Sequence, residues 1–493
     1  MNKIKTVVCL AVASALQVLS GAAGAQELAE APRGGALLDA VRKAVVNNPE
    51  VQASWHGYQA SVAARDVARG GYFPRIDLNA GLGHRWRHKD PDNKDPYTGK
   101  SKKADWDTSG VGLELNQMVY DGFATSSEVK RMGYARLVRY YELLGVSENT
   151  GLDVVQAYAD VQRERELVEA AKANFVIHKQ LYDRLDNRAQ AGVSRRVDLD
   201  QATGRLALAE SNLLTELSNL HDVSARYQRL VGDLPPDTMP PITDSFNNVQ
   251  LPENVIAALN VAYVNNPGFN AAIETVRASM ANRDVARSNY HPKLNLRAVT
   301  GVDRIEKDHP DYKNTGRRHE SSVDLTLNFN IFRGGSDAAR VRQAGEEVNQ
   351  AMDLREKACR DLRQTLAIAY QDTLSLNEQL AYRERHLLMT DKARKSFHEQ
   401  FNIGQRTLLD LLDTENEYFT SQRAFANTRY DLLVAQARTL AGIGQLLRTL
   451  GAAREDLPSP KEAGQDRDTV DPAHMCPADA PVQVRVDKGQ LLR

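Results

Sequence analysis

The chain has 493 residues, with 63 Lys and Arg against 64 Asp and Glu, and a formal net charge of −1. That balance excludes a chain-wide electrostatic attraction to nucleic acid. Charged residues are 26 % and apolar residues 42 %, with a mean hydropathy of −0.49, which suits long solvated helices better than one compact globule.

Residues 1–25 read as a secretory signal peptide. Lys3 and Lys5 form a basic start, Thr6 to Leu19 a short apolar stretch, and Ala23-Gly24-Ala25 an A-x-A site before Gln26. The competing reading, one membrane-spanning helix, needs a longer run. Cys9 lies inside the signal, away from the cleavage site, so no lipid-attachment cysteine is expected. The mature chain keeps Cys359, in a helical pattern, and Cys476, in a Pro-rich tail; this argues against a structural disulfide. No other apolar run is long enough for a spanning helix.

Leu37 to Arg69 reads as a helix or two, interrupted at Pro49 after the pair Asn47-Asn48. After Pro74 the period becomes 2. Ile76, Leu78, Ala80 and Leu82 alternate with Asp77, Asn79, Gly81 and Gly83, and the polar segment Lys89 to Asp107 follows. Val111, Leu113, Leu115 and Val119 then alternate with Gly112, Glu114, Asn116 and Tyr120, only Gln117 breaking the apolar side. No proline occurs between Pro96 and Pro235, so this stretch is open to long helices. Phe123 to about Arg188 reads as one helix of roughly 100 Å at about 1.5 Å per residue. Ala191-Gly192-Val193-Ser194 is a turn, and Val197 to Leu230 a return helix.

The pattern then starts again. Asn47-Asn48-Pro49 returns as Asn265-Asn266-Pro267, and Arg65-Asp66-Val67-Ala68-Arg69 as Arg283-Asp284-Val285-Ala286-Arg287, both displaced by 218 positions. Beyond the first hairpin the displacement is 212, pairing Gly122 with Gly334, Ala157-Tyr158 with Ala369-Tyr370, and Gly192 with Gly404. A tandem duplication of this length is a fold signature. It divides the chain into a first repeat, 26–232, a linker, 233–254, and a second repeat, 255–450. The β-hairpins are expected at about 75–120 and 293–332, and the helical hairpins at about 123–231 and 334–450. In the second copy Leu294, Leu296 and Ala298, then Val323, Leu325, Leu327, Phe329 and Ile331, mark the apolar faces, with the polar segment Ile305 to His319 between. Asp337 to Gln400 and Leu408 to about Leu450 read as helices around a turn at Asn402-Ile403-Gly404-Gln405. Each helix pair makes a coiled-coil hairpin. The tail, 451–493, with Leu457-Pro458-Ser459-Pro460, reads as disordered, with no assigned function.

Strands of about ten residues with one apolar and one polar face carry the pattern of a transmembrane β-barrel. A half-buried strand of a soluble sheet alternates in the same way. Nothing else in either half offers a core for the dry face, however, and the signal peptide favours the membrane. Four strands cannot close a barrel, since the smallest have about eight, and an open edge in lipid costs several kcal/mol per unpaired group. Copies must share one barrel. Two would give about eight strands and little lumen, whereas three would give about twelve and a conduit. The reading is therefore a mainly α chain with a β-barrel, built as a trimer, its helices forming a tunnel of roughly 100 Å in the periplasm.

The segment Phe401-Asn402-Ile403-Gly404-Gln405-Arg406-Thr407-Leu408-Leu409-Asp410-Leu411-Leu412-Asp413 resembles the second hairpin tip of TolC-like outer membrane efflux and secretion channels (outer membrane factors). The similarity continues through Gln422-Arg423-Ala424-Phe425-Ala426-Asn427-Thr428-Arg429-Tyr430 and includes Phe329-Asn330-Ile331-Phe332-Arg333-Gly334-Gly335. With the duplication it covers about Leu37 to Leu450. The resemblance implies a homotrimeric channel-tunnel with a 12-stranded barrel in the outer-membrane lipid, four strands per chain, and a periplasmic α-helical tunnel. It also implies a periplasmic adaptor and an inner-membrane transporter as partners, and no covalent chemistry.

By the same resemblance, Asp410 and Asp413 match aperture carboxylates, which in three chains crowd one narrow opening and attract cations. Arg406 matches a tip arginine that holds the closed state, and Asp198 its partner carboxylate. Phe401 and Val197 stand where the family carries tyrosine and threonine, so the gate here rests more on ion pairing and apolar packing. Read alone, Thr407-Leu408-Leu409-Asp410 fits a capping box; the two roles are compatible. Gly192, Val193, Ser194, Gly404 and Gln405 are turn residues that the resemblance places against the adaptor. No P-loop, metal-spaced His/Cys cluster or nucleophile elbow occurs; Gly81-Leu82-Gly83 sits in a strand pattern, and His84 and His88 read as surface residues. No enzyme, cofactor, metal or nucleic-acid role is expected. Three functions follow in order: a passive exit duct for type I protein secretion, a small-molecule efflux duct with a proton-driven pump, and a non-conducting periplasmic coiled-coil scaffold.

Overall fold

The structure is a computed structural model that describes residues 35–88, 103–193, 195–246, 249–306, 316–466, 476, 477 and 479–481. The expected signal peptide, Ser194, much of both polar strand loops and the end of the tail lie outside the described residues.

The first repeat runs α1 (Ala36–Asn47), α2 (Pro49–Arg69), β1 (Arg75–His88), β2 (Lys103–Tyr120), α3 (Ala124–Gln190) and α4 (Arg196–Val231). A short α5 (Thr243–Phe246) leads to the second: α6 (Val255–Asn265), α7 (Pro267–Arg287), β3 (Lys293–Glu306), β4 (Gly316–Asn328), α8 (Ser336–Asn402) and α9 (Leu408–Gly442), followed by α10 (Leu446–Thr449). Helices α3 and α8 are each 67 residues long, or about 100 Å.

The repeated Asn-Pro pairs break the leading helices for the same reason. The Asn48 side chain accepts from Glu50 N at 2.9 Å while Pro49, which lacks an N–H, occupies the first helical position. Asn266 accepts from Phe269 N at 2.9 Å ahead of Pro267. Each asparagine also docks the end of a return helix, Asn48 donating to Leu230 O at 3.4 Å and Asn266 to Gly442 O at 3.0 Å.

The four strands form one antiparallel sheet in the order β1-β2-β3-β4. Directly paired residues share a face. Ile76 faces Leu115, Leu78 faces Leu113 and Ala80 faces Val111; Ala298 faces Val323, Leu296 faces Leu325 and Leu294 faces Leu327. The opposite face carries Asp77, Glu114, Arg297, Asp303 and Asp324, with Glu114 and Arg297 paired at 2.7 Å. The apolar face is uncovered: Leu82 is 90 % exposed and Val323 74 %. Gln117, which interrupts the apolar side of β2 after Leu115, donates to Tyr72 O at 3.1 Å and Met118 O at 2.7 Å, beside a register shift between Met118 and Tyr120.

At the strand-to-helix junction Gly122 has φ +70°, and a Cβ there would lie 2.7 Å from Ser288 O. Phe123 follows at φ 66°, where the second copy has Gly335 at φ +81°. Its ring lies edge-on to Tyr120 at 5.6 Å, a contact that offsets part of the left-handed backbone's cost.

The largest core lies midway along the helices. It joins Val41 and Val45 of α1, Val154 to Val161 of α3, Leu259 of α6, Leu366 of α8 and Leu440 of α9. Three expectations change here. The last long helix ends at Gly442 instead of continuing to about Leu450, because Gly444 takes φ +70° and its Cβ position would lie 2.6 Å from Asn265 O. The tail is ordered through Asp466, with Leu457 and Ala463 packed on α2 and α3. Cys359 and Cys476 do form a disulfide, because the folded tail brings their Cα atoms to 5.9 Å.

Glu148 of α3 is buried where α10 begins and accepts from Leu447 N at 3.3 Å. Burial pushes its carboxyl up to about 7, the backbone N–H groups of Leu447 and Leu446 offsetting only part of the rise. A carboxyl raised on folding favours the fold while protonated, and that contribution is lost as pH rises from about 4.5 through about 7. Glu148→Gln should therefore raise the thermal midpoint relative to wild type at pH 8, with the gap closing towards pH 5. A gap independent of pH would contradict the burial argument.

Candidate functional site

The far ends of the two helical hairpins meet in a small core of their own. Leu181 and Leu185 of α3, Ala202 of α4, and Leu408, Leu411 and Leu412 of α9 are buried together, with Phe401 packed against them. Each buried leucine contributes about 1.5–3 kcal/mol, so this cluster sets the packing of the two tips. The helical period turns Asp410 and Asp413 away from Leu411 and Leu412.

Both tips turn on a left-handed glycine. Gly192 has φ +74° and Gly404 φ +79°. Val193 N donates to Arg188 O at 2.9 Å, and Gln405 N to Gln400 O at 2.8 Å, closing the last turns of α3 and α8 in the same way. Gly192, Val193, Gly404 and Gln405 are all exposed; Ser194 lies outside the described residues.

The return helices start differently. Thr407 caps α9: its hydroxyl accepts from Asp410 N at 3.3 Å, and Asp410 accepts from Thr407 N at 3.2 Å and Thr407 Oγ1 at 2.9 Å. These bonds hold the Asp410 carboxyl below the usual range, with Arg406 adding to the effect. The first copy has Arg195 at the cap with no side-chain bond, so Asp198 sits in the first turn of α4 without a capping box.

The expected gate residues separate into two groups. Arg406 stays within its own tip. It stacks on Phe397 at 4.3 Å, donates to Gln400 Oε1 at 3.0 Å and lies 4.0 Å from Asp410. Asp413 instead pairs with Arg205 of α4, a link between the two hairpins. Among the described residues Asp198 makes no ion pair. Val197 is exposed and Phe401 fills part of the tip core, so neither substitution leaves a buried gap.

Sequence reasoning missed Arg205, whose partner lies 208 positions away. It also missed an ionic group just behind the second tip. Arg394 contacts Asp391 at 3.0 Å and Glu415 at 3.4 Å and lies over the Tyr418 ring at 4.1 Å. Burial pushes the Glu415 carboxyl up although Arg394 opposes it. The first copy carries Lys179, Tyr182, Thr203 and Leu206 at the matching positions, so only the second tip has this network. An Asp-x-x-Arg spacing in α8 is its one sequence signal.

Arg205→Ala should cost little global stability, about 0.2–1 kcal/mol for an exposed pair. It should speed amide exchange at both tip turns. Unchanged exchange would mean that the pair does not tie the hairpins together.

The model of the family described as "Outer membrane efflux protein" matches the chain twice, over residues 40–233 and 258–445. The outer membrane efflux protein BepC of Brucella suis biovar 1 is 25 % identical over 444 residues, covering 90 % of this chain and 91 % of BepC. The alkaline protease secretion protein AprF of Pseudomonas aeruginosa is 25 % identical over 411 residues, covering 82 % of this chain and 83 % of AprF. The crystal structure of the Campylobacter jejuni CmeC outer membrane channel superposes with a TM-score of 0.71 at 16 % identity, covering 88 % of this chain and 90 % of that one.

Proposed function

This chain belongs to the outer membrane efflux protein family, and on that premise we propose that it is the passive exit duct of a tripartite system for type I protein secretion. The fold is that of TolC-like channels, and the chain lies in the outer membrane with its helical tunnel in the periplasm. Such membership sets aside a non-conducting scaffold.

One observation carries the assembly reading. The sheet has four strands, with β1 and β4 at open edges and an apolar face uncovered. In lipid those edges need partners. Three chains joined edge to edge give about twelve strands and a water-filled lumen lined by the charged face. In this homotrimer each repeat, 26–232 and 255–450, supplies one barrel hairpin and one tunnel hairpin. At the periplasmic end Asp410 and Asp413 of three chains line the aperture. Arg406 and Arg205 hold them from within each chain, and Asp198 faces them from the neighbouring tip. The exposed turns at Gly192, Val193, Gly404 and Gln405, with Ser194, receive the periplasmic adaptor, which links the tunnel to an inner-membrane transporter. The chain does no covalent chemistry in this scheme.

Protein secretion is supported by the extended similarity to AprF, named an alkaline protease secretion protein. Similarity to BepC, named an efflux protein, favours the second reading, a small-molecule duct with a proton-driven pump.

Deleting the gene should abolish release of a large secreted protein while leaving drug susceptibility nearly unchanged. Normal secretion with heightened drug susceptibility would move the assignment to efflux. In planar bilayers the double variant Asp410→Asn/Asp413→Asn should lose cation selectivity several-fold and resist block by multivalent cations. Unchanged selectivity would leave the carboxylates only a capping and pairing role.

A further inference from the structure

The tail after α10 crosses both repeats. Gly451 O accepts from Arg42 of α1 at 2.8 and 3.1 Å. Arg454 lies over the Trp55 ring of α2 at 4.8 Å, and Pro458 O accepts from Tyr140 of α3 at 2.7 Å. Ala463 is buried and its carbonyl accepts from Arg136; Asp466 then pairs with Arg277 of α7. In the second repeat Cys476 is bonded to Cys359 of α8, Pro477 O accepts from Tyr263 of α6 at 3.2 Å, and Asp479 pairs with Arg363 of α8. The described tail thus touches six helices, α1, α2, α3, α6, α7 and α8.

Two features decide what the disulfide does. Cys359 is 1 % exposed and Cys476 0 %, both within the central core. A reductant in solution cannot reach such a bond while the tail is docked, which separates it from labile regulatory disulfides. The cysteines are 117 positions apart, so the bond closes a long loop and restricts the unfolded chain strongly. The contacts of Tyr263 with Pro477 O and of Arg363 with Asp479 hold the tail against α6 and α8 beside the sulfurs.

We propose that Cys359 and Cys476 are an oxidation site for a periplasmic thiol–disulfide oxidoreductase, and that their bond is a clasp installed once, fixing the tail around both repeats as the channel matures. One cysteine thiolate attacks the reactive disulfide of the oxidant, forming a mixed disulfide. The second thiolate displaces the oxidant's sulfur and closes the Cys359–Cys476 bond. Two electrons and two protons pass to the oxidant, which leaves as a dithiol.

The test compares full-length protein from cells with and without the periplasmic oxidant. Unreduced peptide mapping of the first should recover Cys359 and Cys476 as one linked peptide. Dithiothreitol and a maleimide should label neither cysteine until denaturant is added. Protein from oxidant-deficient cells, and the variant Cys476→Ser, should lose the tail to protease about tenfold faster, as expected when the undocked form is more populated. The wild-type comparison serves if the variant does not fold. Free thiols in protein from oxidising cells would overturn the proposal, as would labelling in the native state or equal cleavage rates in all samples.

Discussion

A sheet edge in lipid has no water to satisfy its backbone N–H and C=O groups, and this chain carries two such edges on one four-stranded sheet. The apolar face, from Ile76 and Leu78 across to Leu325 and Leu327, faces away from the charged pair Glu114–Arg297. Such a sheet is stable neither alone in a membrane nor free in water. The proposed closure with identical copies would resolve both problems, since it would pair the edges, expose the apolar face to lipid and enclose the charged face around water.

The duplication makes that closure compatible with a helical tunnel. Each repeat leaves the sheet through a left-handed glycine and enters a helix of about 100 Å. Asn48 and Asn266 perform the same two tasks, capping one helix and holding the end of another. The repeats diverge where symmetry would be least useful. The second tip has the capping box, the Arg406 stack and the buried Arg394–Glu415 pair, whereas α4 in the first begins uncapped. The tail adds a second asymmetry, docked on α1 at Arg42 and joined to α8 by the disulfide.

Most of this fold was legible because its signals are local. Proline-free stretches permitted the long helices, alternation marked the strands, and Gly192 and Gly404 marked the tips. What escaped depended on distant chain segments. Gly444 ends α9 because the carbonyl of Asn265 is packed against it, a fact absent from the sequence near Gly444. The Arg205–Asp413 pair exists only once two hairpins are side by side. Composition argues against the disulfide because Cys476 lies in a Pro-rich segment; Tyr140, Arg136 and Tyr263 supply the anchors that composition cannot show. At the tip, the capping box at Thr407 and Asp410 was readable, whereas the partner of Asp413 was not.

The central claim is that β1 of one chain pairs with β4 of the next until a ring of three closes. Cysteine pairs scanned along these two strands test it directly, because a disulfide forms only where Cβ atoms lie within about 3.5–4.5 Å. In outer-membrane fractions the account predicts a ladder of cross-linked species that stops at three chains. A ladder ending at two chains, one running past three, or bonds only within single chains would contradict it.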